Sequence, residues 1–154
     1  MTHGDGGKMG DIAFMEAGMS VVVVAENGQG RYQQAVTVGQ HQLIADEPAS
    51  LGGDDAGPAP FDLVMAGLGA CTSATLRMYA ERKGIALTRI AIALSHDKVD
   101  IDGTARDRIQ RTITLEGELT DEQRQRLLEI AGKCPTHRLL AHGLQLDCTL
   151  SSGE

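Results

Sequence analysis

Residues 58–84 read PAPFDLVMAGLGACTSATLRMYAERKG, and this stretch decides the fold. Pro60 suits a first helical turn because it has no N–H to leave unbonded, and Gly84 suits a left-handed cap. Nothing between them breaks a helix, so the spacing predicts one helix from Pro60 to Lys83. Val64, Leu68, Cys71, Thr75 and Met78 recur at three-four spacing, yet Met65, Ala66, Gly69, Ala70 and Leu76 leave no polar side before Arg77. A helix apolar on every side is expected to be covered on every side, hence central. Its uncharged part, Leu63 to Leu76, is 14 residues long, short of the roughly 20 that span a bilayer.

Upstream, SVVVVAE (residues 20–26) is short and β-branched, and RYQQAVTV (31–38) followed by Gly39-Gln40 and HQLIAD (41–46) reads as a hairpin, giving three strands. Residues 46–60, DEPASLGGDDAGPAP, crowd Gly, Pro and Asp into a loop. Downstream, Thr88–Val99 and Arg108–Glu118 read as two strands around the polar turn DIDGTARD (100–107), with Ile109, Ile113 and Leu115 alternating. Thr120 and Gln123 form a capping box ahead of a helix that buries Leu127, Leu128 and Ile130 and stops at Gly132-Lys133. Cys134-Pro135 starts a short helix through Leu140, Gly143 closes it, and LQLDCTL (144–150) reads as a final strand. The expected order is βββ-α-ββ-αα-β, an α+β class with helices covering the sheet rather than alternating with its strands. A single domain over residues 19–154 is expected, after a flexible leader of residues 1–18.

The 154 residues are 42% hydrophobic, enough for one core, but only 3% aromatic with no Trp, and 19 are Gly, so small residues must pack backbone closely. A net charge of −7 argues against a general nucleic-acid-binding surface, which needs clustered Lys and Arg. The N-terminal MTHGDGGKMGDIAF carries no export or transit pattern, so a cytoplasmic place is expected. Three cysteines are too few for a disulfide framework, and any disulfide there would be transient.

Two of those cysteines stand in unlike settings. Cys71 lies mid-helix among apolar residues, a setting that raises a thiol's pKa and makes it inert unless tertiary structure brings a cation, so it reads either as a small core residue or as a sheltered nucleophile. Cys134, before Pro135, occupies an N-cap where free N–H groups and the helix dipole stabilise a thiolate, with Arg138 one turn on. Cys148 reads as a packing residue in the last strand. Cys134, His137 and His142 are spaced to invite a metal, but no second ligand pair accompanies them, and capping or surface roles explain these histidines better. His96 reads as a strand-face residue. No GxSxG, phosphate loop, HExxH or acidic metal cluster is present.

The segments GPAPFDLVMAGLGACTSATLRMYAERKG and ITLEGELTDEQRQRLLEIAGKCPTHRLL resemble the OsmC/Ohr family of hydroperoxide-reducing proteins, from about Ala25 to Leu150. The resemblance implies an intertwined homodimer with the cysteine helices at its centre. It further implies that Cys71 is the peroxidatic nucleophile, that Cys134 resolves its sulfenic acid as a disulfide, and that Arg31, in the turn GQGRYQ, is the guanidinium that stabilises the thiolate. An organic hydroperoxide is the implied substrate and an external dithiol, a lipoyl protein or a thioredoxin-like one, the implied reductant; neither cofactor nor metal is called for. Well-studied members carry Glu ten residues before the first Cys. Here Phe61 stands at that position and Asp62 is the nearest carboxylate, with Asp46 and Glu47 as further candidates to orient Arg31. One residue's shift turns a helical side chain by about 100°, and this chain is closer to a less characterised branch with P-x-[DE]-L before its first Cys. The alternative is a non-catalytic member that binds a small molecule or serves in stress.

Overall fold

The structure is a computed structural model that describes residues 20–151; the leader expected at 1–18 lies outside the described residues. By internal contacts the chain divides between Pro60 and Phe61 into two compact units.

The first unit is a meander of β1 (Val22–Glu26), β2 (Gln34–Val38) and β3 (His41–Ala45), antiparallel in that order. Gly39, at φ 58°, opens the two-residue connection between β2 and β3, which places Val38 opposite His41. After β3 the chain is organised by one side chain. Asp46 is 1% exposed, and its carboxylate accepts from the backbone N–H of Glu47 at 2.8 Å and of Asp54 and Ala56, both at 3.1 Å. The loop passes so close to its own backbone that a Cβ at Gly53 or Gly57 would collide with the carbonyls of Glu47 and Ile44. A single 3-10 turn, Ala49–Leu51, lies within it.

The second unit carries the expected order as far as α3: α1 (Pro60–Lys83), β4 (Leu87–Ile101), β5 (Thr104–Gly117), α2 (Asp121–Ala131) and α3 (Pro135–His142). α1 has the predicted bounds, and Gly84 at φ 64° lets the Ile85 N–H reach back to the Ala80 carbonyl at 2.9 Å. Arg77 Nη1 donates to the Leu87 carbonyl at 2.5 Å and Nη2 to that of Thr88 at 3.3 Å, where the ladder slips between Leu87 and Arg89. The hairpin turn is tighter than the sequence suggests. Asp102 (φ 53°) and Gly103 (φ 78°) make a two-residue turn of left-handed residues, so the strands run to Ile101 and from Thr104. The Thr120–Gln123 capping box forms with both bonds, 3.0 and 3.1 Å.

The core joins Leu76 and Ala80 of α1 with Leu127, Ile130 and Ala131 of α2 and Leu87. Beneath it, Ile90 of β4 and Ile113 and Leu115 of β5 supply the alternating face. Gly69 lets α1 settle onto β4, since a Cβ there would come 2.8 Å from Leu94 Cδ1.

Two expectations are corrected, and a third is met only in part by a single chain. Within that chain α1 buries one four-residue row, Leu68, Thr72, Leu76 and Ala80, with Gly69, while Phe61, Val64 and Met78 stay exposed with Gly67, Ala70 and Ala74. Small residues count as apolar in a pattern but offer little side chain to pack, so the face that sinks is the one bearing Leu. Leu128 is 57% exposed, because it sits about 100° round α2 from Leu127. Residues 144–150 pair with no strand of this chain, and Cys148 is exposed rather than packed.

Candidate functional site

The site is built in the second unit, where α1 meets the start of α3. Cys71 lies on α1 one residue before the buried Thr72, and its thiol is partly buried. α2 stops at Gly132, the Cys134 N–H still bonds the Ala131 carbonyl at 3.4 Å, and Cys134 becomes the N-cap of α3 with its thiol fully buried. Pro135 has no N–H to offer. The first N–H that α3 leaves free of a helical partner is therefore that of Thr136.

Burial pushes the Cys71 thiol up. Against it, the neighbouring Cys134 thiol and then the Thr136 hydroxyl and backbone N–H favour the thiolate, with Thr75 contributing less, and the balance holds Cys71 below its ordinary value. Thr75 has one hydroxyl proton and spends it on the Cys71 carbonyl at 2.8 Å, so Cys134 and Thr136 are the effective donors. The helix start that Cys134 caps thus also bears on Cys71. Cys134 makes no side-chain cap bond of its own. A thiol with a low pKa beside a second, buried thiol is a pair that can be oxidised to a disulfide.

Around this pair the sequence reading missed Arg111. Its guanidinium lies within hydrogen-bond reach of three elements: Nη1 donates to Thr72 Oγ1 at 2.7 Å and reaches the Ala131 carbonyl at 3.5 Å, and Nη2 faces His137 Nδ1 at 2.8 Å. A guanidinium only donates, so His137 Nδ1 accepts and the ring is neutral. Burial first, then the Arg111 charge and His142, hold the His137 pKa below its ordinary value. The signal was in the alternation: Arg111 occupies the same inward register as Ile109, Ile113 and Leu115, and a charge on the apolar side of a strand demands partners.

Beside the pair opens a groove of about 360 Å³, lined by Phe61, Val64 and Leu68 of α1, Ile109 and Arg111 of β5, and His137 and Leu140 of α3. At its rim His96 Nε2 meets Asp107 Oδ1 at 2.8 Å while the His96 ring lies 4.2 Å from that of Phe61. Among the described residues no group of three or more His, Cys, Asp or Glu could hold a metal ion, and the Arg111 charge on His137 Nδ1 opposes a cation there.

The remaining predicted residues are placed as follows. Arg31 lies in the first unit, in the bend before β2, with its guanidinium 5.0 Å from the Tyr32 ring centre. Asp62 lies in the first turn of α1, exposed. Within the first unit Asp46 is committed to backbone N–H groups and not to Arg31. Burial raises its carboxyl pKa, but the three N–H bonds outweigh burial and hold it below its ordinary value.

The fold and site define a class: an α+β protein in which a long helix carries a half-buried thiol against a second thiol at another helix's start. Residues 52–149 match the family model described as OsmC-like protein, and the chain belongs to that family. Solved structures agree in fold. An OsmC-like protein from Mycoplasma pneumoniae is 20% identical with a TM-score of 0.67, covering 80% of this chain and 87% of that one. An organic hydroperoxide resistance protein OsmC from Legionella pneumophila is 18% identical with a TM-score of 0.62, covering 79% and 88%. An organic hydroperoxide resistance protein from Elizabethkingia anophelis is 19% identical with a TM-score of 0.60, covering 78% and 86%. A search of curated proteins gives no significant match. No helix among the described residues is long and apolar enough to cross a membrane.

Proposed function

We propose that this protein is a thiol peroxidase that reduces organic hydroperoxides to alcohols. The observation that carries the reading is the pairing of Cys71, half-buried on α1 with its pKa held below its ordinary value, with Cys134, buried at the start of α3. The Cys71 thiolate attacks the terminal peroxide oxygen, the O–O bond breaks, and the alkoxide takes a proton to leave as alcohol, with Cys71 a sulfenic acid. The Cys134 sulfur then bonds Cys71 and expels water, giving a disulfide. An external dithiol, lipoyl or thioredoxin-like, reduces it by exchange and is itself oxidised to a disulfide. The names of the Legionella and Elizabethkingia structures support a hydroperoxide substrate, and the apolar groove favours an alkyl chain over hydrogen peroxide.

Family resemblance adds Arg31 as the cation for the thiolate and the peroxide oxygen, with Asp62 the nearest carboxylate to the position from which the family orients it. It also adds a homodimer in the cytoplasm, and the exposed Phe61, Val64 and Met78 on α1 are suited to a second copy. The test is peptide mapping of reduced protein after a brief, near-stoichiometric pulse of cumene hydroperoxide. Expected are a Cys71–Cys134 disulfide in the wild type, no consumption in Cys71→Ser, a sulfenate on Cys71 in Cys134→Ser, and slower attack in Arg31→Ala. Full turnover in Cys71→Ser would sink the proposal.

One observation favours a second reading, a small-molecule-binding protein: the groove is lined by neither thiol. Ligand-induced stabilisation that survives loss of both thiols, without peroxide consumption, would support it.

A further inference from the structure

Of the groups outside the thiol pair, Arg111 is the one whose placement asks most for an explanation. It rises from the apolar face of β5, opposite Leu94 on β4, in a register otherwise occupied by Ile and Leu. A charge brought to such a place ordinarily finds a carboxylate, yet among the described residues Arg111 has no ion pair. Its partners are neutral and belong to three different helices. Thr72 is fully buried and is held in turn, its hydroxyl donating to the Leu68 carbonyl at 2.7 Å, so the bond from Arg111 grips a rigid point of α1 one residue from Cys71. The Ala131 carbonyl belongs to the last turn of α2, three residues before Cys134. His137 follows Cys134 by three residues, on the first turn of α3.

One planar fork therefore joins the helix that carries the first thiol to the two helix ends that flank the second. Fixed geometry is what a guanidinium offers and an ammonium does not. The groups that chiefly hold the Cys71 pKa down are Cys134 and Thr136, and Arg111 is not among them. Its influence on the thiol passes through the segment it holds.

We propose that Arg111 is the positioning residue of the dithiol: by tying Thr72 of α1 to Ala131 and His137 on either side of Cys134, it keeps the Cys134 sulfur within bonding reach of Cys71. The inference rests on the thiol chemistry proposed above but not on the peroxide. Any oxidant that turns the two thiols into a disulfide reports on it.

The test is a thiol–disulfide equilibrium of the full chain in glutathione buffers. One oxidised glutathione takes up two electrons and two protons from Cys71 and Cys134, yielding the protein disulfide and two reduced glutathiones. Because the second step is intramolecular, the equilibrium measures the effective concentration of one thiol at the other. Arg111→Met is expected to lower it roughly tenfold or more, with Arg111→Lys restoring part of the loss. The pH midpoint of Cys71 alkylation should rise with it, a change that general loosening remote from the thiols would not cause. An equilibrium within about twofold of wild type in Arg111→Met overturns the proposal, as does a wild type that forms no Cys71–Cys134 disulfide. Should Arg111→Met not fold, His137→Phe removes only the α3 arm. A smaller loss in the same direction is then expected, and no change overturns the proposal. A wild type that forms the disulfide from glutathione yet consumes no hydroperoxide ends the peroxidase reading and leaves this one standing.

Discussion

Cys71 sits among apolar neighbours, and burial alone would make its thiol inert. The counterweight is local and made of neutral donors, above all the Cys134 thiol and Thr136. A lowered pKa means that more of Cys71 is thiolate at neutral pH, so alkylation in a Cys148→Ser background should rise with pH around a midpoint below that of an unperturbed cysteine. Thr136→Val removes the hydroxyl and keeps the backbone N–H. It should move that midpoint upward and slow alkylation at neutral pH; a midpoint that stays put would remove Thr136 from the account. The cysteines themselves were legible as two unlike thiols. Which donors serve which sulfur was not, because Thr136 is two residues from Cys134 in sequence and reaches Cys71 only through the packing of α3 on α1.

At the scale of elements, α2 shows how a sequence signal divides into what is local and what is not. Its capping box can be read from Thr120 and Gln123 because both bonds span three residues. Its buried face could be read only in part. Leu127 is fully buried in the core and its neighbour Leu128 is mostly exposed, although both are equally apolar. Leu127→Ala should cost about 2–5 kcal/mol in a denaturant titration, and Leu128→Ala about 0.5 kcal/mol or less. Similar costs at the two sites would mean that the helix is rotated from the face described. α1 carries the same lesson in reverse. Its limits are set by Pro60 and Gly84, but its pattern of small residues does not say which row packs, and the row that does is the one facing the β4–β5 hairpin.

For the whole molecule, the apolar surface left open on α1 and the exposed Leu144, Leu146 and Leu150 after α3 are what a single chain leaves uncovered. Reduced protein in light scattering should give twice the 16.3 kDa of the chain, and a monomer at working concentrations would remove the homodimer from the proposal. The sequence by itself determined the α+β class, the bounds of α1, the capping box of α2 and the Pro-started α3. Each of these rests on contacts a few residues long or on periodicity within one element. It also determined that two thiols of different character stand in the chain. Only the tertiary structure decided that the start of α3 serves Cys71, that Arg111 bridges the elements around the pair, and that residues 144–150 lack a strand partner. Those outcomes depend on which surfaces meet across long stretches of chain. Hydrogen bonding to a sulfur or a guanidinium acts over a few ångströms of space, whatever the distance in sequence.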